Sequence, residues 1–228
     1  MEKIGFIGAY DKTDLILYVA KVLVELGKKV IVIDSTTNQK AKYTVPAISP
    51  TTSYVTQYEG MDIAVGLYSF EDIERYLGKT SNEKLDYDYA LIDIDNAQML
   101  DNFKITDTKH NYFVTSFDMY SLKKGIEILS GIKDTIHLTK ILYSINILKE
   151  DDDYLNFLSL GQKIEWNETR IYMTMDLQDE DTIMQCQRVE KIKFKDLSSS
   201  YKDAILYLVD DIIKENKDHA IKKIFRQE

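Results

Sequence analysis

Cysteine, histidine and proline are all scarce in this sequence. The single Cys186 cannot form an internal disulfide, and it and the three His residues lack the spacing of a zinc site. No apolar run approaches the roughly 20 residues that are needed to span a bilayer. With only two prolines and no Pro-, Gly- or Ser-rich linker in 228 residues, we expect one domain over residues 1–228. No signal-peptide pattern precedes the first predicted strand, so we expect a cytoplasmic location.

The charge balance excludes one broad class of function. The chain has 38 acidic and 29 basic residues, which gives a formal net charge of -9. Proteins that bind DNA through bulk electrostatics present a strongly basic surface. The composition therefore argues against DNA binding, although a local basic patch is compatible with it.

Residues 3–34 contain the clearest structural pattern. The apolar run Ile4–Ile7 has the length of a strand, and after a short loop the apolar residues of 15–26 follow helical spacing. Gly27 ends this helix, and residues 30–33 form a second buried strand. The pattern predicts a parallel βαβ unit, in which the first loop directs the N-terminus of the helix at a ligand, usually a phosphate.

Strand and helix patterns alternate along the rest of the chain. This alternation predicts an α/β fold with three layers, in which helices cover both faces of a mostly parallel sheet. We interpret Ser35–Tyr58 as a polar excursion and the acidic run 150–153 as a solvated turn. Further strands are predicted at 61–66, 89–93, 110–115, 140–147 and 170–175, helices at 69–77, 120–132, 182–189 and from about 200, and an extended piece at 192–194.

Four segments, in chain order, resemble the ParA/MinD group of P-loop ATPases, which carries a deviant Walker A motif. The first resembles that motif with its helix and strand, the second the Walker B strand, the third the next strand and helix, and the fourth the strand whose Asn faces the adenine. They read GAYDKTDLILYVAKVLVELGKKVIVID, DYDYALIDID, NYFVTSFDMYSLKKGIEIL and ILYSIN. The resemblance implies the P-loop NTPase architecture of this group.

The resemblance also implies a role for each matching residue. Lys12 falls where the P-loop Lys contacts the β- and γ-phosphates, and Thr13 where a hydroxyl binds Mg²⁺. Asp34 matches a catalytic acid that orients water or the metal, and Asp93 the acid that holds the Mg²⁺ shell. Asn146 matches the residue that reads adenine. With these, the implied site for ATP or ADP and Mg²⁺ contains the loop residues Gly8, Ala9, Tyr10 and Asp11.

The loop departs from the family pattern in ways that weaken this site. Asp11 replaces the Gly before the P-loop Lys, and Ala9 replaces another Gly, so the backbone loses freedom to converge on phosphate. Like charges about 4 Å apart cost roughly 1 to 4 kcal/mol, and Asp11 places a carboxylate beside the expected polyphosphate. The signature Lys of the deviant motif is Ile7 or Gly8 here. We therefore expect nucleotide binding to be weak or absent, and at most a weak ATPase.

Three hypotheses for function follow. The first is an atypical ParA/MinD-like protein that forms a homodimer and binds an unidentified protein partner to position or assemble a pilus, secretion or partition apparatus; TadZ-like pilus-assembly proteins are a precedent for altered Walker A loops. The second is a nucleotide-free pseudo-ATPase scaffold. The third is a Rossmann-type dinucleotide enzyme, which would read IGFIGAY as a broken G-x-G-x-x-G motif with Asp34 on the ribose.

Each site residue also has a purely structural interpretation. Lys12 and Thr13 can simply begin an exposed helix, and Asp34 and Asp93 can be polar ends of buried strands. Asn146 can be a turn residue.

The C-terminal residues 219–228 have an amphipathic pattern. Ile221, Ile224 and Phe225 fall on one helical face, flanked by basic residues. This segment resembles a shortened membrane-targeting tail of MinD-like proteins, which implies peripheral contact with the inner face of the membrane. The alternative is the frayed end of the last helix.

Overall fold

A computed structural model describes residues 1–47, 52–78, 85–144, 149–174, 176–215 and 217–226, with backbone alone for 149–151. Within these residues, strands form one sheet in the order β3-β4-β2-β5-β1-β6-β7-β8, and every neighbouring pair is parallel except β3 and β4. The strands are β1 (Glu2–Ile7), β2 (Val30–Asp34), β3 (Tyr54–Tyr58), β4 (Met61–Val65), β5 (Tyr89–Ile94), β6 (His110–Ser116), β7 (Ile136–Ser144) and β8 (Ile164–Thr174).

Helices cover both faces of this sheet, so the predicted three-layer α/β architecture is confirmed. The helices are α1 (Thr13–Glu25), α2 (Ala41–Thr44), α3 (Phe70–Tyr76), α4 (Ala97–Asn102), α5 (Met119–Leu129), α6 (Lys149–Leu158), α7 (Leu177–Val189), α8 (Ser199–Ile213) and α9 (Asp218–Ile224). Buried residues of α1, α8 and α9 form the core on one face, and those of α3, α4, α5 and α6 form the core on the other.

The apolar run of β2 shows why the strands read as continuously hydrophobic. Val30 and Val32 pack into the core on the α1 face, whereas Ile31 and Ile33 pack into the core on the opposite face. Side chains alternate along a strand, and here both faces are covered. Both sets of positions must therefore be apolar.

The order of the strands separates the hypotheses for the fold. β1 lies between β5 and β6, and β5 separates it from β2. In the Rossmann order 3-2-1-4-5-6 the first two strands are neighbours. The observed order therefore does not support the dinucleotide-enzyme hypothesis.

The register aligns the carboxyl ends of the three central strands. Asp34 at the end of β2 pairs with Asp93 of β5, and Phe6 of β1 pairs with Asp93 on its other side. The loop that follows Ile7 therefore begins at the same edge of the sheet as both carboxylates.

Several predicted elements differ from the structure. The polar excursion contains β3, which pairs antiparallel with β4 through a turn at Glu59 and Gly60, both with positive φ. The acidic run 150–153 lies inside α6, α7 begins at Leu177 and not at 182, and residues 192–194 form no strand. The predicted end of β7 at 145–147, which includes Asn146, lies outside the described residues.

The edge strand β8 contains a bulge. Its register with β7 runs from Leu138 opposite Trp166 to Lys140 opposite Arg170. Residues 167–169 therefore stand opposite the single residue Thr139, and all three are exposed.

The apolar face of the C-terminal segment is buried inside the molecule. Ile221, Ile224 and Phe225 are 0%, 6% and 7% exposed, and the ring of Phe225 lies 5.3 Å from that of Phe194. The side chains that we expected to contact a membrane are therefore not available to lipid in this structure. No helix within the described ranges combines the length and apolar character that crossing a membrane requires.

We expect Ile221→Ala to lower the free energy of unfolding by about 2 to 4 kcal/mol, because it leaves a cavity beneath α9. The exposed Lys222→Ala is the matched control and should change stability by no more than about 0.5 kcal/mol. Urea unfolding measures both. Sedimentation with anionic vesicles tests the membrane hypothesis. That hypothesis would gain support if both variants lost vesicle binding while their free energies of unfolding stayed unchanged.

Candidate functional site

The loop between β1 and α1 begins at a glycine that no other residue can replace without movement of the backbone. Gly8 has φ +145°, and its N–H donates to the carbonyl of Ile94 at 3.0 Å. A Cβ at this position would lie 2.1 Å from the carbonyl oxygen of Val114. Gly8 therefore lets the loop pass closely over the ends of β5 and β6.

Lys12, Thr13 and Asp93 lie together beneath this loop. The Lys12 ammonium is 2.6 Å from Asp93 Oδ1 and donates to the Gly8 carbonyl at 2.9 Å. The Thr13 hydroxyl donates to Asp93 Oδ2 at 3.2 Å. All three side chains are buried, so the structure brings together the residues that the resemblance assigned to phosphate and Mg²⁺, but they contact one another.

The surroundings of Asp93 oppose its ionisation. Burial in the end of the sheet raises the pKa of the Asp93 carboxyl to about 6, and the nearby Asp34 also raises it. The Lys12 ammonium acts in the opposite direction and offsets only part of this increase. The Asp93 carboxylate is therefore held in a buried place that disfavours its charge, and the Lys12 ammonium is its partner there.

Asp34 orders the segment that follows β2. Its Oδ1 accepts hydrogen bonds from the N–H and the hydroxyl of Thr36, at 3.1 and 2.6 Å, and its Oδ2 accepts from the N–H of Ala41 at 2.9 Å. Its side chain is buried and beside Asp93 in the sheet. These contacts give Asp34 a positioning role for the connection to α2, and its catalytic role stays a prediction.

Sequence reasoning missed a second ionic cluster, in which Lys40 joins Asp11 of the loop to Asp14 of α1. Asp11 accepts a hydrogen bond from the N–H of Thr13 at 3.2 Å through Oδ1, and its Oδ2 lies 2.5 Å from the ammonium of Lys40. The same ammonium lies 2.5 Å from Asp14. Lys40 was missed because it follows β2 in a segment without periodicity, and only its place after that strand hinted that it could reach this edge.

A cavity of about 340 Å³ opens beside the loop, toward the end of β8 and α7. Its wall includes Tyr10, whose ring lies 4.6 Å from that of Tyr143. Five acidic residues and two lysines line it, namely Asp11, Asp14, Asp176, Asp179, Glu180, Lys12 and Lys40. The lining is thus acidic overall.

The residues present do not fit a magnesium–triphosphate group in this conformation. The Thr13 N–H, the Lys12 ammonium and the Thr13 hydroxyl are each engaged by an acceptor of the protein itself. A nucleotide would have to displace these internal contacts.

No family model and no curated protein matches the sequence. Solved structures do match: MinD of Aquifex aeolicus in its complex with MinC has a TM-score of 0.61 at 15% identity, covering 95% of this chain and 97% of that chain. An ATP complex of McdA from Cyanothece has a TM-score of 0.57 at 11% identity, covering 95% and 98%. A plasmid partition protein of Borrelia burgdorferi bound to AMPPNP has a TM-score of 0.56 at 11% identity, covering 93% and 97%. The chain has a ParA/MinD-like fold.

In this ParA/MinD-like chain, the loop, Lys12, Thr13 and Asp93 occupy the strand ends at which the sequence resemblance placed them. Asp34 lies there too, but its carboxylate accepts hydrogen bonds from the segment that leads from β2 into α2. Asn146 lies outside the described residues. The likeness shows the fold, and the roles of these residues remain predictions.

Proposed function

We propose that this chain is an atypical ParA/MinD-like positioning protein of the cytoplasm. It acts by pairing with a second copy and by binding a protein partner of a pilus, secretion or partition apparatus, with weak or no ATP turnover. The observation that supports the proposal is the loop itself, in which Lys12 and Thr13 contact Asp93 and Asp11 of the same chain. A fold that is kept while its ligand contacts are taken internally favours a protein-binding role.

The two positions that match the family's signature Lys support slow turnover. Ile7 is fully buried, and Gly8 has no space for a side chain against Val114. Neither position can present an ammonium to a nucleotide on a partner subunit. A charge that stabilises the transition state of phosphoryl transfer is therefore missing from this place.

The structural neighbours support the general kind of action. The MinD structure is a complex with another protein, MinC, and the partition protein and McdA structures hold AMPPNP and ATP respectively. By analogy with these folds, we assign both a protein partner and a nucleotide as ligands, and the closed loop is the reason why we assign weak binding to the nucleotide.

Calorimetric titration with ATP and Mg²⁺ tests this proposal. We expect a dissociation constant weaker than about 0.1 mM, which corresponds to roughly -5.5 kcal/mol, and loss of the remaining heat in Lys12→Ala. Lys21→Ala is the control, because Lys21 pairs with Glu25 and Glu59, away from the loop. Sedimentation velocity with and without nucleotide reports the dimer.

The outcomes separate the two remaining hypotheses. Heat that depends on Lys12, together with a nucleotide-dependent dimer, supports the atypical positioning protein. A silent titration with a nucleotide-independent dimer favours the pseudo-ATPase scaffold, which the closed loop also suits. ATP hydrolysis at many turnovers per minute would contradict both.

A further inference from the structure

We infer that Asp11 is a built-in substitute for a phosphate group, and that Lys40 holds it in the loop as a latch. The carboxylate occupies the anion position at the N-terminus of α1, so the loop is closed by its own side chain. The inference rests on the proposed function, because it concerns the regulation of the same loop.

The N-terminus of α1 is the natural anion position of this fold. The first N–H groups of a helix lack partners within the helix and carry the positive end of its dipole. Lys12, which precedes α1, provides no side-chain cap. Asp11 instead accepts the hydrogen bond of the Thr13 N–H, and so places a carboxylate oxygen where a bound phosphate oxygen would accept that bond.

Lys40 holds this carboxylate from the opposite side. Its ammonium bridges Asp11 and Asp14, each at 2.5 Å. Asp34 fixes the connection that carries Lys40, because it accepts the N–H groups of Thr36 and Ala41 on either side of it. The latch is therefore presented by an ordered segment.

The same cluster connects to α7. Asp14 accepts a hydrogen bond from the side-chain amide of Gln187 at 2.8 Å. A displacement of α7 or of the α2 connection would therefore disturb the partners of Lys40. Release of Asp11 would free the Thr13 N–H and leave the Lys40 ammonium facing the loop, where it becomes a second cation for phosphate.

Removal of Asp11 neutralises the excess negative charge of the side chains that line the small cavity under the loop. This cavity, of about 130 Å³, contains Asp11, Asp93 and Asp95 against Lys12 and Lys40. Without Asp11 the two carboxylates and two ammonium groups balance. Asp14 does not line this cavity but shares Lys40, which makes it a charge-matched control.

Isothermal titration of Mg·ATP into the full chain tests the latch. We expect Asp11→Gly to bind at least tenfold more tightly than the wild type, and Asp14→Asn less than threefold more tightly. Asp11→Asn should bind Mg·ATP less tightly than Asp11→Gly, because its amide oxygen can still accept a hydrogen bond from the Thr13 N–H. The Asp11 side chain is 53% exposed, so the fold should persist, which circular dichroism checks. Asp11→Ala replaces Asp11→Gly if the glycine loosens the loop.

Equal gains in Asp11→Gly, Asp11→Asn and Asp14→Asn would show that charge alone opposes the nucleotide and would overturn the latch. Unchanged affinity in both Asp11→Gly and Asp11→Ala would overturn it as well, whatever the dimer does. Tight binding by Asp11→Gly without any dimer in sedimentation would leave the latch standing and remove the proposed positioning function. The two ideas therefore fail through different measurements.

Discussion

Asp93→Asn is expected to lower the free energy of unfolding by about 3 to 5 kcal/mol, because it leaves the Lys12 charge buried without a counter-ion. The Lys12 side chain is 2% exposed, and in the variant only neutral acceptors, the Gly8 carbonyl and the amide oxygen of the new Asn, would face its ammonium among the described residues. Urea unfolding at pH 7 measures the loss. The control is Asp101→Asn, whose pair with Lys133 has the same 2.6 Å separation but is exposed. That variant should lose no more than about 1 kcal/mol.

The reciprocal variant Lys12→Met should reveal itself through pH. Without the ammonium, the folded pKa of Asp93 should rise above its present value of about 6. The folded state then holds a proton that the unfolded chain loses near pH 4, so stability falls as the pH rises from about 4 through the folded pKa. The wild type shares this direction between about pH 4 and 6, by up to about 3 kcal/mol. Urea unfolding at pH 5 and pH 8 measures this. A free energy of unfolding of Lys12→Met that is as large at pH 8 as at pH 5 would contradict the buried pair.

Gly8→Ala is expected to cost more than about 4 kcal/mol of stability or to prevent folding altogether. The new Cβ would lie 2.1 Å from a backbone carbonyl of β6, and φ +145° is unfavourable for any residue with a Cβ. Backbone in a central strand cannot give way as a flexible side chain can.

Gly27→Ala provides the matched comparison. Gly27 also has positive φ, +80°, but a Cβ there meets nothing within 4 Å. It should therefore lose only about 1 to 2 kcal/mol, the cost of a left-handed backbone for alanine. Thermal unfolding of both variants separates the cost of the steric clash from the cost of positive φ. Similar losses of stability would mean that the structure around Gly8 moves to make room for the Cβ.

The sequence predicts the central part of the fold because apolar periodicity is strong there. β1, β2 and β5 are buried on both faces, so each reads as an apolar run. Parallel strands bring their carboxyl ends to one edge, which is why Lys12, Thr13 and Asp93 lie together as predicted.

Loops without periodicity explain the residues that were missed. The bridge from Lys40 to Asp11 and Asp14 depends on how two connections fold, and residue spacing does not encode this. The edge strand β3 has buried tyrosines at its two ends but the polar Thr56 and Gln57 between them, so it lacks a regular alternation and reads as a polar excursion.

Buried charge explains a further error. The acidic run 150–153 reads as solvated, yet Asp152 lies in α6 and is 3% exposed. Its Oδ1 is 2.7 Å from the ammonium of the buried Lys140 in β7, and its Oδ2 is 3.1 Å from the guanidinium of Arg170. A sequence shows the charge of a residue but not the partner that allows its burial.

The bulge in β8 bears on how copies of this chain behave at high concentration. An outer strand with a continuous row of free N–H and C=O groups invites the strand of another molecule, and this is how fibres grow. Residues 167–169 interrupt the regular register of β8 with β7, and the exposed Glu168 and Arg170 place charged side chains on this strand. We therefore expect this edge of the sheet to resist pairing with the strand of another copy.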